Sequence, residues 1–223
     1  MDVAPIRHSW FAIATIPILR LLLRVWFFFW GPVRAIGEYR VPKTGPLLIL
    51  SNHLSLIDPP LVHVYCPRRI HYMASTEIYG VKILLPLLRY FRVFPVNPGT
   101  ADRGAIRHAV KALKEGEAVG VFPEGELNKE PGTMLPILSG AGLIAKMSGA
   151  TIICCGLQET NRIIPYGCRV PRPAFRRITI TWGEPRQFDK DVPAEQILEW
   201  VQHQLLDLSN LEPSAIRAKA SES

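Results

Sequence analysis

The amino-acid sequence predicts an α/β protein: a mixed, largely parallel central sheet flanked by helices, preceded by a helical, membrane-associated N-terminal segment. Three observations lead there. From residue 45 onward short β-rich apolar runs alternate with helix-like segments, the pattern of βαβ units. The chain has 223 residues, 48% apolar and 20% charged, enough to bury a sizeable core. Its most apolar stretch, residues 9–36, is broken by Arg20 and Arg24.

Residues 1–40 are expected to anchor the chain to a membrane. The uncharged runs fall short of the roughly 20 apolar residues a spanning helix needs. No unbroken apolar core with a small-residue cleavage site is present, so the segment is expected to stay attached. Arg20 and Arg24, four apart, share one helix face and can snorkel to headgroups, while Trp10, Trp26 and Trp30 suit the interface. Pro17 and the Gly31-Pro32 pair predict a re-entrant or two-helix arrangement rather than one rod. The alternative is an amphipathic helix packed on the protein's own core. The expected location is peripheral or monotopic on the cytoplasmic face of a membrane.

Residues 41–211 are expected to form the α/β domain. Strands are predicted at 47–51, 69–74, 91–96, 118–123, 151–157 and 178–182, and helices at 59–65, 76–90, 101–115, 138–148 and 193–209. Asp58 before Pro59 carries the signature of a helix cap followed by proline, and Asp102 opens the helix that ends near Gly116. Residues 212–223, small and polar, are expected to be a flexible tail.

Composition excludes several classes. The chain is too apolar and too free of repeats for a disordered or collagen-like protein. Its four cysteines, Cys66, Cys154, Cys155 and Cys168, show neither C-x-x-C nor finger spacing, which argues against a disulfide framework or structural zinc and fits a reducing compartment. The net charge is +7, and residues 1–44 alone hold six basic against two acidic side chains. Because those basic residues are interleaved with apolar ones, no nucleic acid partner is expected.

In open α/β sheets, sites gather at the carboxyl ends of strands. After the first strand comes Asn52-His53-Leu54-Ser55-Leu56-Ile57-Asp58. The spacing lets the Asp58 carboxylate bind one imidazole nitrogen of His53, leaving the other free to act as a base near neutral pH. No serine sits in an elbow motif, so the attacking hydroxyl is expected from a substrate. After the strand at 118–123 comes Phe122-Pro123-Glu124-Gly125. Its turn can aim a carboxylate into a cleft and expose backbone N–H groups to an anion.

These two motifs resemble the N-H-x-x-x-x-D and F-P-E-G signatures of the PlsC-type 1-acylglycerol-3-phosphate acyltransferases, a glycerolipid acyltransferase family. The resemblance covers residues 45–157 and includes FRVFPVN at 91–97 and the glycine-containing helix and strand at 135–153. It implies that His53, oriented by Asp58, deprotonates a lysophospholipid hydroxyl that attacks the thioester of acyl-CoA or acyl carrier protein. That chemistry needs no metal and no bound cofactor. The resemblance also implies that Asn52, Phe122, Pro123, Glu124 and Gly125 belong to the substrate site and that membrane lipids are partners.

The sequence departs from the family pattern where positive charge is expected. Glu126-Leu127-Asn128 follow Gly125 in place of Thr-Arg-Ser, and Val96-Asn97-Pro98-Gly99 lacks the usual basic residue. Arg103, on the next helix, is the candidate replacement at an acceptor phosphate. These changes motivate a less anionic lysolipid as an alternative acceptor. A thioesterase or lipid hydrolase using the same pair, and a catalytically silent lipid-binding homologue, are the other readings. His63 and His71 are expected in core or edge positions, and Arg68-Arg69 in a solvated loop.

Overall fold

The computed structural model describes residues 10–75, 79, 88, 92–96, 102–168 and 170–214. Its centre is a seven-stranded sheet formed by β1 (Val33–Ile36), β2 (Leu47–Ser51), β3 (Ile70–Ser75), β4 (Phe94–Val96), β5 (Ala118–Val121), β7 (Thr151–Gln158) and β8 (Ile178–Trp182), in the order β1-β8-β7-β2-β5-β3-β4. Every neighbouring pair is parallel except β7 and β8, so the sheet is mixed and largely parallel, as expected.

Alternation along the strands builds two cores. Leu47 and Ile49 of β2, with Ile153, Cys155 and Leu157 of β7, face the layer of α1 (Trp10–Trp30) and α2 (Asp58–Tyr65). Leu48 and Leu50, with Ile152 and Cys154, face α3 (Arg103–Lys114), α4 (Ser139–Ser148) and α5 (Ala194–Ser209). In α5 the apolar stripe is Ile197, Val201 and Leu205, spaced by four and all buried. Gly156 lets α5 approach β7 closely, since a Cβ there would lie 2.4 Å from the backbone carbon of Leu208. Truncating a buried leucine of β2 to alanine would cost about 2–5 kcal/mol.

The structure corrects the N-terminal reading in three ways. First, α1 is one helix of 21 residues that runs through Pro17 instead of breaking there. Second, Arg20 and Arg24 face the domain. Arg20 donates to the carbonyl of Arg68 (2.9 Å), and Arg24 reaches the carbonyl of Val64 and the Glu38 carboxylate, both at 3.4 Å. Carbonyls left open at and just past the end of α2 take guanidinium donors, so these arginines are not the headgroup face. Third, Val33–Ile36, placed by the sequence inside the anchor, are an edge strand of the sheet. The buried face of α1 centres on Phe27, with Leu23, Trp26 and Trp30 packed beside it. Ile18, Leu21, Leu22, Val25, Phe28 and Phe29 form an exposed apolar stripe at helical spacing. Among the described residues no helix is long and apolar enough to cross a membrane.

Other boundaries hold within a few residues. The predicted helix at 76–90 lies, apart from isolated positions, outside the described residues, as does Asn97. Glu212 to Ser214, expected in a flexible tail, are tied down instead. Glu212–Pro213 (β9) pair with Thr133–Met134 (β6), and the Ser214 hydroxyl donates to Glu130 at 2.9 Å. Arg68 is a clamp and not a solvated residue, donating to the carbonyls of Gly45 (2.7 Å) and Gly116 (2.8 Å).

Candidate active site

Strands β2, β3, β4 and β5 run parallel, so their carboxyl ends share one edge of the sheet, and the site is built there. β2 ends at Ser51, and the chain turns sharply before α2. Asp58 is the first residue of that helix, but its carboxylate caps none of the helical N–H groups, contrary to the cap signature. Pro59 and Pro60 remove two of the donors a cap would serve. The carboxylate turns back instead. One oxygen, Oδ2, accepts from the backbone N–H of Leu54 (2.7 Å) and Ser55 (2.8 Å) and meets His53 Nδ1 at 2.9 Å.

Asp58 is fully buried, while the side chain of His53 is 16% exposed. An ionised carboxylate only accepts, so Nδ1 carries the imidazole proton and the Nε2 lone pair is left for a substrate. The pairing predicted from spacing is therefore formed. Phe122 stacks on the imidazole, ring centroids 4.1 Å apart, and Tyr72 stacks behind it at 6.2 Å from Phe122. The aromatic face fixes the ring plane of His53 and keeps water from that side.

The structure places Glu124 differently from the expectation of a cleft-facing carboxylate. It is fully buried. Oε1 accepts the backbone N–H of His53 (2.7 Å) and Oε2 that of Leu135 (2.8 Å). The reason lies in the chain path: β2 and β5 are adjacent, so the loops that leave them meet, and their unpaired N–H groups need an acceptor. Asn52 is likewise buried and structural. Its amide pairs with the backbone of Leu157, accepting from N–H (2.7 Å) and donating to C=O (3.0 Å), which joins β2 to β7 beyond the ladder. Pro123 is buried, and its carbonyl accepts from Leu138 N–H at 2.8 Å. Gly125 is exposed at φ +77°, where a Cβ would also fall 2.4 Å from Leu138 Cδ1. Arg103 stands exposed on the first turn of α3, whose N-terminus Asp102 caps by accepting from Gly104 and Ala105 N–H groups. Thus the structure gathers Asn52, His53, Asp58, Phe122, Pro123, Glu124 and Gly125 at one edge, with His53 and Phe122 partly accessible.

Sequence reasoning missed Asn128. Its backbone N–H donates to the His53 carbonyl (3.2 Å), and its side chain donates to the Thr133 carbonyl (2.6 Å) and accepts from Glu130 N–H (2.9 Å). The clue available was an amide where the family pattern has a hydroxyl. It also missed a cleft of about 220 Å³ lined by Leu54, Asn128, Lys129, Glu130, Asn161 and Tyr166. Lys129 lies over the Tyr166 ring there, Nζ 5.3 Å from its centroid. No linear signal joins residues 129 and 166.

His63 and His71 are away from this chemistry, as expected. Burial, then the charges of Arg20 and Arg69, lowers His63 to about 3. Burial, then Arg92, lowers His71 to about 4, and the neutral ring accepts from the Arg92 guanidinium at 2.9 Å. Cys154 and Cys155 are buried in opposite cores and serve packing.

The α/β sheet therefore carries a carboxylate-oriented histidine at one strand end, tied through its backbone to a second strand-end motif. The Acyltransferase family model matches residues 32–158, and the chain belongs to that family. It is 31% identical over 129 residues to a 1-acyl-sn-glycerol-3-phosphate acyltransferase of Bacillus subtilis (strain 168), covering 57% of this chain and 63% of that protein. It is 28% identical over 130 residues to the same-named enzyme of Borreliella burgdorferi, covering 56% and 50%. The chain thus spans less than two thirds of the length of these relatives. The crystal structure of the 1-acyl-sn-glycerophosphate acyltransferase PlsC from Thermotoga maritima shares the fold, with a TM-score of 0.74 at 21% identity over 88% of this chain and 79% of that one.

Proposed function

We propose that the protein is a membrane-associated O-acyltransferase that esterifies a lysophospholipid, 1-acylglycerol-3-phosphate first among the candidates, with a fatty acyl group from acyl-CoA or acyl carrier protein. The observation that carries this reading is the 2.9 Å contact between His53 Nδ1 and a fully buried Asp58, which leaves Nε2 basic. His53 Nε2 takes the acceptor hydroxyl proton as the oxygen attacks the thioester carbonyl. The C–S bond then breaks, the ester forms, and the departing thiolate takes the proton back from the imidazolium. General base catalysis of this kind is worth about 10²–10⁴ in rate.

The names of the relatives support the acceptor, and the cleft beside Leu54, with Lys129 at its rim, offers room and a cation for a phosphate headgroup. The exposed stripe of α1 supports attachment to a membrane surface, from which a lysolipid would arrive. A less anionic acceptor is the second reading, favoured by Leu127 standing where the family pattern has arginine.

The test is thiol release from a long-chain acyl-CoA, and separately from acyl carrier protein, by detergent-solubilised protein with a panel of lysolipids, beside His53→Ala. Release that needs an acceptor and vanishes in the variant is the expected result. Release without acceptor would mean a thioesterase, and no release with either donor type would leave a silent lipid binder.

A further inference from the structure

The strand directions put a second surface at the same edge as His53. β8 runs antiparallel to β7, with Thr179 opposite Gln158, and β1 runs parallel to β8. The amino ends of β8 and β1 therefore lie where β2 and β7 end. The loop entering β8 is fastened there to the C-terminus of α1: Ala174 N–H donates to the Trp30 carbonyl (2.7 Å), and Ile178 N–H to that of Pro32 (3.0 Å). Ala174 is buried, and its methyl carbon lies 3.1 Å from where a Cβ of Gly31 would stand.

Between those two fixed points the chain does something costly. Phe175 adopts φ +52°, a left-handed conformation that is an outlier for a bulky residue, and holds its ring 91% exposed. Val170 is 77% exposed. Arg172, Arg176 and Arg177 are exposed around them, and Arg34 is exposed on the adjoining strand β1. Between Glu159 and Glu184 the sequence holds five arginines and no acidic residue. Apolar tips ringed by exposed guanidinium groups match an anionic lipid surface, which takes aromatic side chains at its acyl boundary and cations at its phosphates. The exposed Phe28 and Phe29 lie two and one residues before Trp30, whose carbonyl holds Ala174 of this loop.

We propose that the loop Val170–Arg177 is a second membrane-contact element, in which Phe175 enters an anionic bilayer while Arg172, Arg176 and Arg177 bind its phosphates. Together with α1 it sets the orientation of the domain, turning the edge that bears His53 toward the lipid. The inference rests on the reading that the chain works at a membrane and is independent of its catalytic chemistry.

The experiment is cosedimentation of the full chain with phosphatidylcholine vesicles, with and without phosphatidylglycerol, at low salt. Each arginine near the surface contributes about fivefold. The combined variant Arg172→Gln, Arg176→Gln, Arg177→Gln should therefore lose roughly a hundredfold in partitioning to anionic vesicles and little to neutral ones. Phe175→Gly should weaken binding to both on the order of tenfold. Its thermal midpoint should hold or rise, because glycine accepts φ +52° without strain. Phe175→Gly protein that sediments like wild type overturns the proposal, as does wild type that ignores phosphatidylglycerol. Both variants should keep wild-type thiol release on a detergent-dispersed acceptor. Absence of release in wild type would defeat the acyltransferase reading and leave the partition result standing.

Discussion

The Glu124 carboxylate accepts the backbone N–H of His53 at 2.7 Å, so the second strand-end motif holds the histidine of the first by its main chain. Its other oxygen accepts Leu135 N–H at 2.8 Å, which leaves one buried charge serving two loops. Glu124→Gln turns one oxygen into a donor facing an N–H. We expect a loss of about 2–3 kcal/mol, from one broken charge-assisted bond and one unsatisfied N–H. Thiol release should fall with it, because the His53 main chain loses its fixed point. Urea midpoints that match wild type would refute this role.

Asp58 acts on the same histidine from the side chain. Asp58→Asn keeps the shape but sets an amide against Nδ1 and two backbone N–H groups that all converge on Oδ2. The imidazole then has reason to switch tautomer and offer a proton where a lone pair is needed. A fall in kcat on the order of 10²–10⁴ is expected with KM changed little, since the cleft side chains are untouched. A pure rise in KM would point to a binding role.

What the sequence made legible was local. Five-residue spacing between His53 and Asp58 implied their pairing, and the alternation of apolar runs implied the sheet. What it hid was where a polar side chain turns once strands become neighbours. Asn52 and Glu124 read as site residues, yet Asn52 binds β7 through Leu157, 105 residues away, and Glu124 binds His53, 71 residues away. Arg20 and Arg24 read as headgroup ligands because their targets, the carbonyls of Arg68 and Val64, exist only after α1 lies on α2. Asn52→Leu should accordingly cost about 2–4 kcal/mol by orphaning both backbone groups of Leu157, and circular dichroism melting checks it. An unchanged melt with a raised KM would restore Asn52 to the substrate site.

Two buried histidines make stability depend on pH. Unfolded, each takes a proton below about 6.5. Folded, His63 is held to about 3 and His71 to about 4, chiefly by burial. The unfolded chain therefore binds more protons below that value. Stability is complete above about pH 6.5 and declines as the pH falls toward 4, by up to about 1.4 kcal/mol per unit for each histidine. Denaturant titrations across this window should show the decline, and His71→Gln should reduce the slope by about one proton. A flat profile would mean that neither ring is neutral in the folded state.

Lys129 is the basic side chain that lines the cleft next to Leu54, and it lies over Tyr166 with its ammonium 5.3 Å from the ring centroid. The preceding residue, Asn128, donates its backbone N–H to the His53 carbonyl, so the cation stands one residue from a main-chain tie to His53. If the acceptor's headgroup occupies this cleft, Lys129→Met keeps the stem over the ring and removes only the charge. The pairing of one ammonium with a phosphate at a half-open site is worth about 1–2 kcal/mol, or roughly five- to thirtyfold in KM. We expect that rise for a phosphate-bearing acceptor and no rise for a neutral lysolipid, with kcat nearly constant for both. Because Tyr166 holds Lys129 by a cation–π contact, Tyr166→Leu should give a smaller shift in the same direction. Equal KM values for charged and neutral acceptors in Lys129→Met and wild type alike would place the headgroup elsewhere, and the exposed Arg103 on the first turn of α3 would be the next cation to remove.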